Sequence, residues 1–207
     1  MSDWRERVQS LADVVDPLQL GRLQPPSDFS GHESAVLIAF SEGERGPELL
    51  LIERAHDGYV HSGQPAFPGG RMEADDDSLV TTALREAQEE TGLDPSCVRV
   101  LAVLPRLHLS VSGHAVTPVV VEWHTPCATG VRDAREVAAV VKVPIEDLVN
   151  PENRVMYPHP SGGRGPAFLV AGLVVWGFTG GVIAGLLRAL DWEIPWDEQR
   201  VFDPDAA

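Results

Sequence analysis

Residues 63–93 read GQPAFPGGRMEADDDSLVTTALREAQEETGL and place three glutamates on one predicted helix. Glu86, Glu89 and Glu90 are separated by one, three or four positions, so they lie on one side of that helix. Like charges at such spacings repel by about 0.2–0.5 kcal/mol per pair even on an exposed surface. Because Mg²⁺ and Mn²⁺ prefer oxygen ligands, this cluster is a candidate site for a divalent metal ion.

The sequence also marks the ends of this helix and the face that each glutamate occupies. Candidate N-cap residues precede it at Asp75, Asp76, Asp77 and Ser78. Gly92 fits the position where a left-handed residue ends a helix. Glu90 falls within the apolar arc of the helix and Glu86 lies at its edge, so we expect both carboxylates to line a cleft. Glu89 lies toward the polar side, four residues after Arg85, and this spacing predicts an ion pair.

A glycine turn, Phe67-Pro68-Gly69-Gly70, precedes the acidic segment. Two glycines after a proline permit a tight turn with positive φ and a close approach of the backbone to a ligand. Taken alone, the turn has an ordinary structural interpretation. Joined to the glutamate helix at this spacing, Gly69 and Gly70 become candidate substrate-binding positions.

Together, the turn and the helix resemble the Nudix box of hydrolases that act on nucleoside diphosphates linked to another moiety. The box has the form G-x5-E-x7-R-E-U-x-E-E-x-G-U, in which U is a bulky apolar residue. Here it begins at Gly70, and its second half is REAQEETGL, from Arg85 to Leu93. The chain departs from the pattern at three points: the second spacer is one residue longer, Asp76 replaces the first glutamate, and Ala87 fills the first U position.

The resemblance implies an α/β (α+β) fold, a Nudix-type α/β/α sandwich with a mixed central sheet. It also implies that Mg²⁺ or Mn²⁺ binds Glu86 and Glu90, with Glu89 as a further ligand or an outer contact, while Arg85 holds the cluster in place. Such a metal lowers the pKa of a water molecule that attacks one phosphorus. Members of the superfamily often take the general base from outside the box, and Glu136 is the candidate here. A surface glutamate or a structural ion pair is the alternative at that position.

A second resemblance covers the segment upstream of the box. Residues 50–55 are LLIERA, and Gly63 and the FPGG turn follow. This is similar to the signature of the coenzyme A pyrophosphatase branch, roughly L-L-T-x-R-S/A-x3-R-x3-G-x3-F-P-G-G. It implies cleavage of coenzyme A or a derivative to 3′,5′-ADP and 4′-phosphopantetheine. Ile52 stands where the pattern has threonine and Tyr59 where it has arginine. The lost arginine leaves the substrate open, because a cation is a natural group to recognise the phosphates of coenzyme A.

Two alternative functions remain. The first is a Nudix hydrolase that acts on ADP-ribose, a dinucleoside polyphosphate or an oxidised nucleotide, since the box handles only the pyrophosphate. The second is a Nudix-like domain that senses nucleotides without hydrolysing them. Such a domain often loses a box glutamate or carries a DNA-binding appendage, whereas this chain keeps all three glutamates and shows no basic appendage.

The composition fits a small soluble enzyme, and the resemblance implies a small-molecule nucleotide as its substrate. The hydrophobic content of 43% in 207 residues is enough for a core. The net charge of −15 argues against nucleic-acid and membrane partners. An anionic substrate must then be met by the metal and a few arginines, for which Arg54, Arg71 and Arg106 are candidates. A surface arginine or a structural ion pair is the alternative for each. His108 and His114, on either side of a polar loop, are further candidate contacts to a base or phosphate.

Other features bear on the compartment and on the assembly. Cys97 and Cys127 show neither metal spacing nor a disulfide framework, and the first residues lack an apolar signal segment, so we expect a cytoplasmic protein. Residues 167–187 carry no charge over 21 positions, a length typical of a transmembrane helix, but Gly177 and Gly180 favour a strand followed by a helix. Many related hydrolases pair, so the resemblance makes a homodimer an expectation.

We expect a single domain over residues 1–207, in which residues 1–32 form an N-terminal helical extension and linker. An amphipathic helix is predicted over residues 3–20, and a loop that covers a cleft over residues 151–166. The predicted strands are 35–40, 48–54, 98–104, 115–123 and 168–176, and a helix follows over 182–190.

Overall fold

The computed structural model describes residues 4–15, 18, 20, 24–55, 63–109, 113–159 and 162–203. The helices are α1 (Trp4–Gln9), α2 (Leu11–Val14), α3 (Leu79–Thr91), α4 (Ile145–Val149) and α5 (Gly177–Ala189). The strands are β1 (His32–Gly43), β2 (Gly46–Arg54), β3 (Pro65–Ala66), β4 (Gly69–Arg71), β5 (Val98–Val103), β6 (Leu107–Leu109), β7 (His114–Trp123), β8 (Val137–Pro144), β9 (Arg154–Pro158), β10 (Arg164–Val170) and β11 (Leu173–Val175).

The first eight strands form one mixed sheet with the order β3-β2-β1-β7-β5. At its centre β1 and β7 run parallel, with Ala35 opposite Thr117, while β2 returns antiparallel to β1. The short strand β4 pairs with β1, β6 with β7, and β8 with β2. The glycine turn of the sequence is therefore part of the sheet, held against the central strand.

Helices cover both faces of this sheet, as the alternation of buried residues along β1 shows. Ala35 and Leu37 pack in the core beneath α3. Ile38 and Phe40 point to the opposite core, which contains side chains of α1, α2 and α5. Because successive residues of a strand point to opposite faces, one strand serves both layers. The predicted α/β/α sandwich with a mixed central sheet is confirmed.

Helix α3 has the ends that the sequence predicts. The hydroxyl of Ser78 accepts a hydrogen bond from the Thr81 amide as the N-cap, and Gly92 ends the helix with φ 71°. The small residues Ala83 and Ala87 are buried against the sheet, which allows the helix to lie close to it. The acidic residues that follow in the next turn are thus fixed at the sheet surface.

The C-terminal part forms a second, three-stranded antiparallel sheet in the order β11-β10-β9. The prediction of a loop over residues 151–166 is wrong, because β9 pairs with the start of β10 in this region. The single strand predicted over 168–176 is also wrong: it is a hairpin that turns at Ala171 and Gly172, with φ 53° and 76°. Helix α5 begins at Gly177 rather than at residue 182, as predicted, and Thr179 lies buried inside it.

One helix is predicted over residues 3–20, but residues 3, 16, 17 and 19 lie outside the described residues, and the described part of this segment forms the two short helices α1 and α2. Ser10 separates them, and Val8 and Leu11 are buried on their sheet-facing side. Residues 24–31, from the predicted linker, have no helix or strand, although the linker ends one residue earlier than predicted, at the start of β1. Among the described residues, no helix combines the length and the apolarity needed to cross a membrane.

Replacing Ser78 tests the cap that fixes the start of α3. We expect Ser78→Ala to lower the free energy of unfolding by about 1 kcal/mol, because the Thr81 amide loses its acceptor. Urea unfolding of the two proteins measures the difference. Ser78→Asn retains a capping oxygen and serves as the control, and equal stability of the alanine and asparagine variants would contradict a capping role.

Candidate active site

The centre of the candidate site is the carboxylate of Glu90, at the last turn of α3. The residue is only 5% exposed, and its Oε2 accepts a hydrogen bond of 2.9 Å from the amide of Gly69 on β4. A side chain at position 69 would overlap the carbonyl oxygen of Ala35 on β1, so this strand needs glycine to approach so closely. A side chain at Gly70 would overlap the carboxylate of Glu86 in the same way.

The two glutamates of this face have raised pKa values. Burial raises the pKa of Glu90 to about 8, the Gly69 amide opposes that shift, and the charges of Glu86 and Glu136 add to it. Burial also raises the pKa of Glu86, against the opposing charge of Arg85. Glu86 and Glu90 are therefore carboxylates whose charged forms are disfavoured by burial on one surface. Their place in a cleft that accepts a cation stays a prediction.

Arg85 is the cation that makes direct ion pairs with Glu86 and Glu89 at this surface. Its guanidinium lies 3.0 Å from Glu86 and 3.1 Å from Glu89, which confirms the predicted pair with Glu89. It also binds both oxygens of Asp76 and the carbonyl oxygen of Arg71. The hydrogen bond from Arg85 holds the pKa of Asp76 well below its usual range. One arginine thus joins the box helix to the loop that precedes it.

Glu89 and Glu136 differ from the buried pair in exposure. The side chain of Glu89 is 58% exposed against 16% for Glu86, in agreement with its predicted peripheral place. Glu136 is exposed just before β8, and its charge raises the pKa of both Glu86 and Glu90. The fold therefore brings Glu136, a residue about fifty positions from the box, to the same surface.

The three candidate arginines differ in the groups that they contact. Arg54 ends β2, and its charge lowers the pKa of Glu90, so it faces the glutamate cluster. Arg71 follows Gly70 on β4 and contacts His114 at 3.4 Å. Arg106 forms an ion pair with Glu33, which is the structural alternative for that residue. Tyr59 lies outside the described residues.

Ser34 is a residue near the site that the sequence did not indicate. Its hydroxyl lies 2.7 Å from Nδ1 of His114, and it pairs across the sheet with Arg71. Of the two candidate histidines, His114 thus lies beside the glycine strand, whereas His108 packs its ring edge-on against Phe29. No local pattern links Ser34 to His114, because they meet only through the parallel pairing of β1 with β7.

The donor chemistry of the surface suits a hard divalent cation. Glu86 and Glu90 offer carboxylate oxygens, and their pKa values are raised chiefly by burial, with a smaller contribution from neighbouring carboxylates, so a bound cation would stabilise their charged forms. Across the described ranges, no group of three or more His, Cys, Asp or Glu side chains is arranged to hold a metal ion. Glu89 is turned toward Arg85, so a third carboxylate ligand requires that side chain to rotate.

A family model described as the NUDIX domain matches residues 31–160, which is more than half of the chain. The chain belongs to the Nudix family. It is 36% identical over 191 residues to the uncharacterized Nudix hydrolase NudL of Enterobacter sp. (strain 638), covering 86% of this chain and 93% of that protein. NudL of Escherichia coli O7:K1 is 34% identical over 187 residues, with 87% and 94% covered.

Solved structures agree on the fold. The crystal structure of the Nudix hydrolase RenU from M. smegmatis has a TM-score of 0.55 at 17% identity, covering 81% of this chain and 90% of that one. A MutT/nudix family protein from Enterococcus faecalis has a TM-score of 0.51 at 16% identity, with 92% and 76% covered. The family model and the NudL relatives identify the protein as a Nudix pyrophosphohydrolase, a family that generally uses divalent ions such as Mg²⁺ or Mn²⁺.

The raised pKa of Glu90 predicts a pH-dependent stability without metal. The folded-state value of about 8 exceeds the ordinary 4.5, so the folded protein binds more protons between those values. Stability must then fall as pH rises through this range. In EDTA, we expect wild type to lose about 2–4 kcal/mol relative to Glu90→Gln between pH 5 and pH 8, measured by urea unfolding.

Two controls accompany this measurement. Glu89→Gln removes an exposed carboxylate, so its profile should run parallel to that of wild type. Mg²⁺ at pH 8 should stabilise wild type more than Glu90→Gln, since a bound cation favours the charged carboxylate. Parallel profiles for wild type and Glu90→Gln would contradict the burial of an uncompensated carboxylate at this position.

Proposed function

We propose that this Nudix hydrolase cleaves the pyrophosphate of coenzyme A or a coenzyme A derivative, giving 3′,5′-ADP and 4′-phosphopantetheine. Glu86 and Glu90 hold Mg²⁺ or Mn²⁺, and Glu89 adds a ligand or an outer contact. The observation that carries this site is the Glu90 carboxylate, buried beside Glu86 and bound by the Gly69 amide. A carboxylate pair in that setting needs a cation when both groups are charged.

The remaining residues bind, orient or transfer a proton. A bound divalent ion neutralises the pyrophosphate and lowers the pKa of an attacking water. Arg54 faces the cluster and offers a guanidinium to a phosphate. Glu136 is the proposed general base, because it is exposed and its charge acts on both Glu86 and Glu90. Arg85 is a positioning residue that holds the loop at Asp76 and the carboxylate of Glu86.

The support for coenzyme A comes from the segment upstream of the box. Its first part, residues 50–54, lies on β2, and Ile52 on that strand pairs with Ala66, directly before the FPGG turn. The two parts of the signature are thus neighbours in space, and Arg54 ends the first part at the glutamate cluster. Arg71 and Arg106 are proposed as phosphate contacts on the sequence pattern, although Arg106 also has its ion pair with Glu33.

Hydrolysis of ADP-ribose or another nucleoside diphosphate derivative is the alternative within the same family. The glutamates and the glycine strand handle only the pyrophosphate, so they serve either substrate. A domain that binds nucleotides without hydrolysis is the second alternative, which the three intact box glutamates disfavour. The homodimer, the cytoplasmic location and the single domain over residues 1–207 stay predictions.

Substituting single glutamates ranks their proposed roles. Glu90→Gln should lower kcat by more than about 100-fold, because it removes the charge of the most buried proposed ligand. Glu89→Gln should lower kcat by about tenfold or less, since its side chain is largely exposed. Chromatographic quantification of the nucleotide product gives the rates, and circular dichroism confirms that each variant is folded. The matched control is Glu73→Gln, because Glu73 is an exposed glutamate before the helix. Near-wild-type activity of Glu90→Gln would contradict its assignment as a metal ligand.

Mass spectrometry of products tests the substrate. The protein is incubated with coenzyme A and, separately, with ADP-ribose, in the presence of Mg²⁺ or Mn²⁺. We expect 4′-phosphopantetheine and 3′,5′-ADP from coenzyme A, and at least tenfold slower cleavage of ADP-ribose. Cleavage of ADP-ribose alone would retain the hydrolase and reject coenzyme A. Glu90→Gln, incubated in parallel, distinguishes turnover at this site from a contaminating phosphatase.

A further inference from the structure

A cavity of about 420 Å³ lies in the C-terminal sheet region and shares no residue with the glutamate cluster. It lies between the β9–β10 hairpin and the start of α5. Its volume falls within the range of about 300–1,000 Å³ that is typical of small-molecule sites. Nothing in the hydrolytic mechanism uses these residues.

The charge of this cavity is opposite to that of the chain as a whole. Its described lining contains Arg164 and Arg188 together with His159, and no aspartate or glutamate, although the chain has 31 acidic residues against 16 basic ones. Arg164 is exposed, and Arg188 is partly engaged, since its Nε donates to the Ala184 carbonyl and lies 3.9 Å from Glu193. Guanidinium groups with remaining donors are suited to a phosphate.

Aromatic rings form another part of the lining. Tyr157 stacks on Trp176, with ring centroids 4.3 Å apart and an angle of 13° between the ring planes. Phe202 stacks on Tyr157, with a distance of 5.5 Å between the centroids. The ring of His159 lies edge-on to Trp176 at 6.4 Å. Tyr157 is stacked between Trp176 and Phe202, whereas Trp176 is only half-buried and lines the cavity, so the face of Trp176 turned away from Tyr157 is the ring surface that a planar ligand would contact. Such stacked rings bind planar ligands, and stacking of one base contributes about 1–3 kcal/mol.

The backbone adds to this chemistry. Gly162, Gly163 and Gly177 line the cavity with φ of 90°, 83° and 66°, a region that favours glycine and brings the backbone close to a ligand. Gly177 is also the first residue of α5, a helix of 13 residues whose N-cap, Trp176, makes no side-chain cap bond. The positive end of that helix thus adds to the positive charge of the cavity lining at Gly177, while Arg188 contributes from the last turn of the same helix.

We propose that this cavity is a nucleotide-binding site, separate from the glutamate cluster, in which the arginines contact a phosphate and the aromatic residues contact the base. Two sources of nucleotide fit the same chemistry: the distal part of the hydrolysed substrate, or a free mononucleotide. The first is sterically reasonable because β11, which leads to Trp176, packs against β3, which leads to the glycine strand. The assignment rests on the cavity and not on the proposed hydrolysis.

Calorimetric titration of the full-length protein with AMP, in EDTA, tests the site. AMP has no pyrophosphate to hydrolyse, and without metal the glutamate cluster repels it. Any binding through Arg54 or Arg71 at the catalytic site would be unchanged in the cavity variants, which separates it from binding in the cavity. We expect saturable binding that weakens about tenfold or more in Arg164→Gln and in Trp176→Leu. Arg164→Lys should lose less, since it keeps the charge. Arg45→Gln, which removes an exposed arginine bound to Asp147, is the matched control and should leave the affinity unchanged.

Adenosine and inorganic phosphate, the two parts of AMP, test the contact to the base and the contact to the phosphate separately. Adenosine should respond only to Trp176→Leu, and inorganic phosphate only to Arg164→Gln. Equal AMP affinity in wild type and both cavity variants, or no saturable binding in the millimolar range, would overturn the proposal. If inorganic phosphate bound as tightly as AMP, the adenosine part would add no affinity, and the assignment to nucleotides would be overturned. Arg164→Gln keeps the test independent of any folding defect caused by loss of the Trp176 stack.

Kinetics on the substrate identified by mass spectrometry separates the two sources. An increase of KM in Arg164→Gln that parallels the loss of AMP affinity, at constant kcat, would show that the cavity holds part of the substrate. Loss of AMP binding with unchanged KM and kcat would show a separate nucleotide site. If AMP binds the cavity and no pyrophosphate is cleaved, the proposed hydrolysis fails and the cavity assignment stands.

Discussion

The hydrogen bond from the Gly69 amide to the Glu90 carboxylate is the interaction on which the site depends. It joins a three-residue strand, paired to β1, to the last turn of α3. The contact is close only because residue 69 has no side chain to meet the Ala35 carbonyl. A carboxylate buried in this way has exchanged most of its hydration for one amide donor, so its charged form stays costly in the absence of a cation.

Arg85 partly neutralises the other carboxylates that the fold places close to Glu90. Its guanidinium reaches Asp76, Glu86 and Glu89, and it also binds the carbonyl of Arg71 on the glycine strand. Asp76 in turn accepts from the Glu73 amide and the Thr82 hydroxyl. The departures from the box pattern at this point, a shorter acid and a longer spacer, therefore still place a carboxylate against the arginine.

The sequence could predict what is determined locally and not what depends on distant pairing. Ser78 and Gly92 mark the ends of α3 because capping is a property of adjacent residues, and the face of Glu90 follows from helical spacing. The hairpin at Ala171 could not be predicted in the same way, since a left-handed alanine leaves no compositional signal. The contact of Ser34 with His114 arises from two strands that lie about eighty residues apart in the chain.

Binding a pyrophosphate through a cation and recognising the rest of a nucleotide require surfaces of opposite charge. A cluster of carboxylates can address a pyrophosphate only through a cation, and it offers nothing to a base or to further phosphates. Recognition of those groups must come from elsewhere on a chain whose net charge is −15. The cavity with Arg164 and Trp176 has that complementary chemistry. It stands on a sheet whose edge strand β11 packs against β3, the strand that precedes the glycine strand carrying Gly69, so the two regions of complementary chemistry are neighbours in the fold.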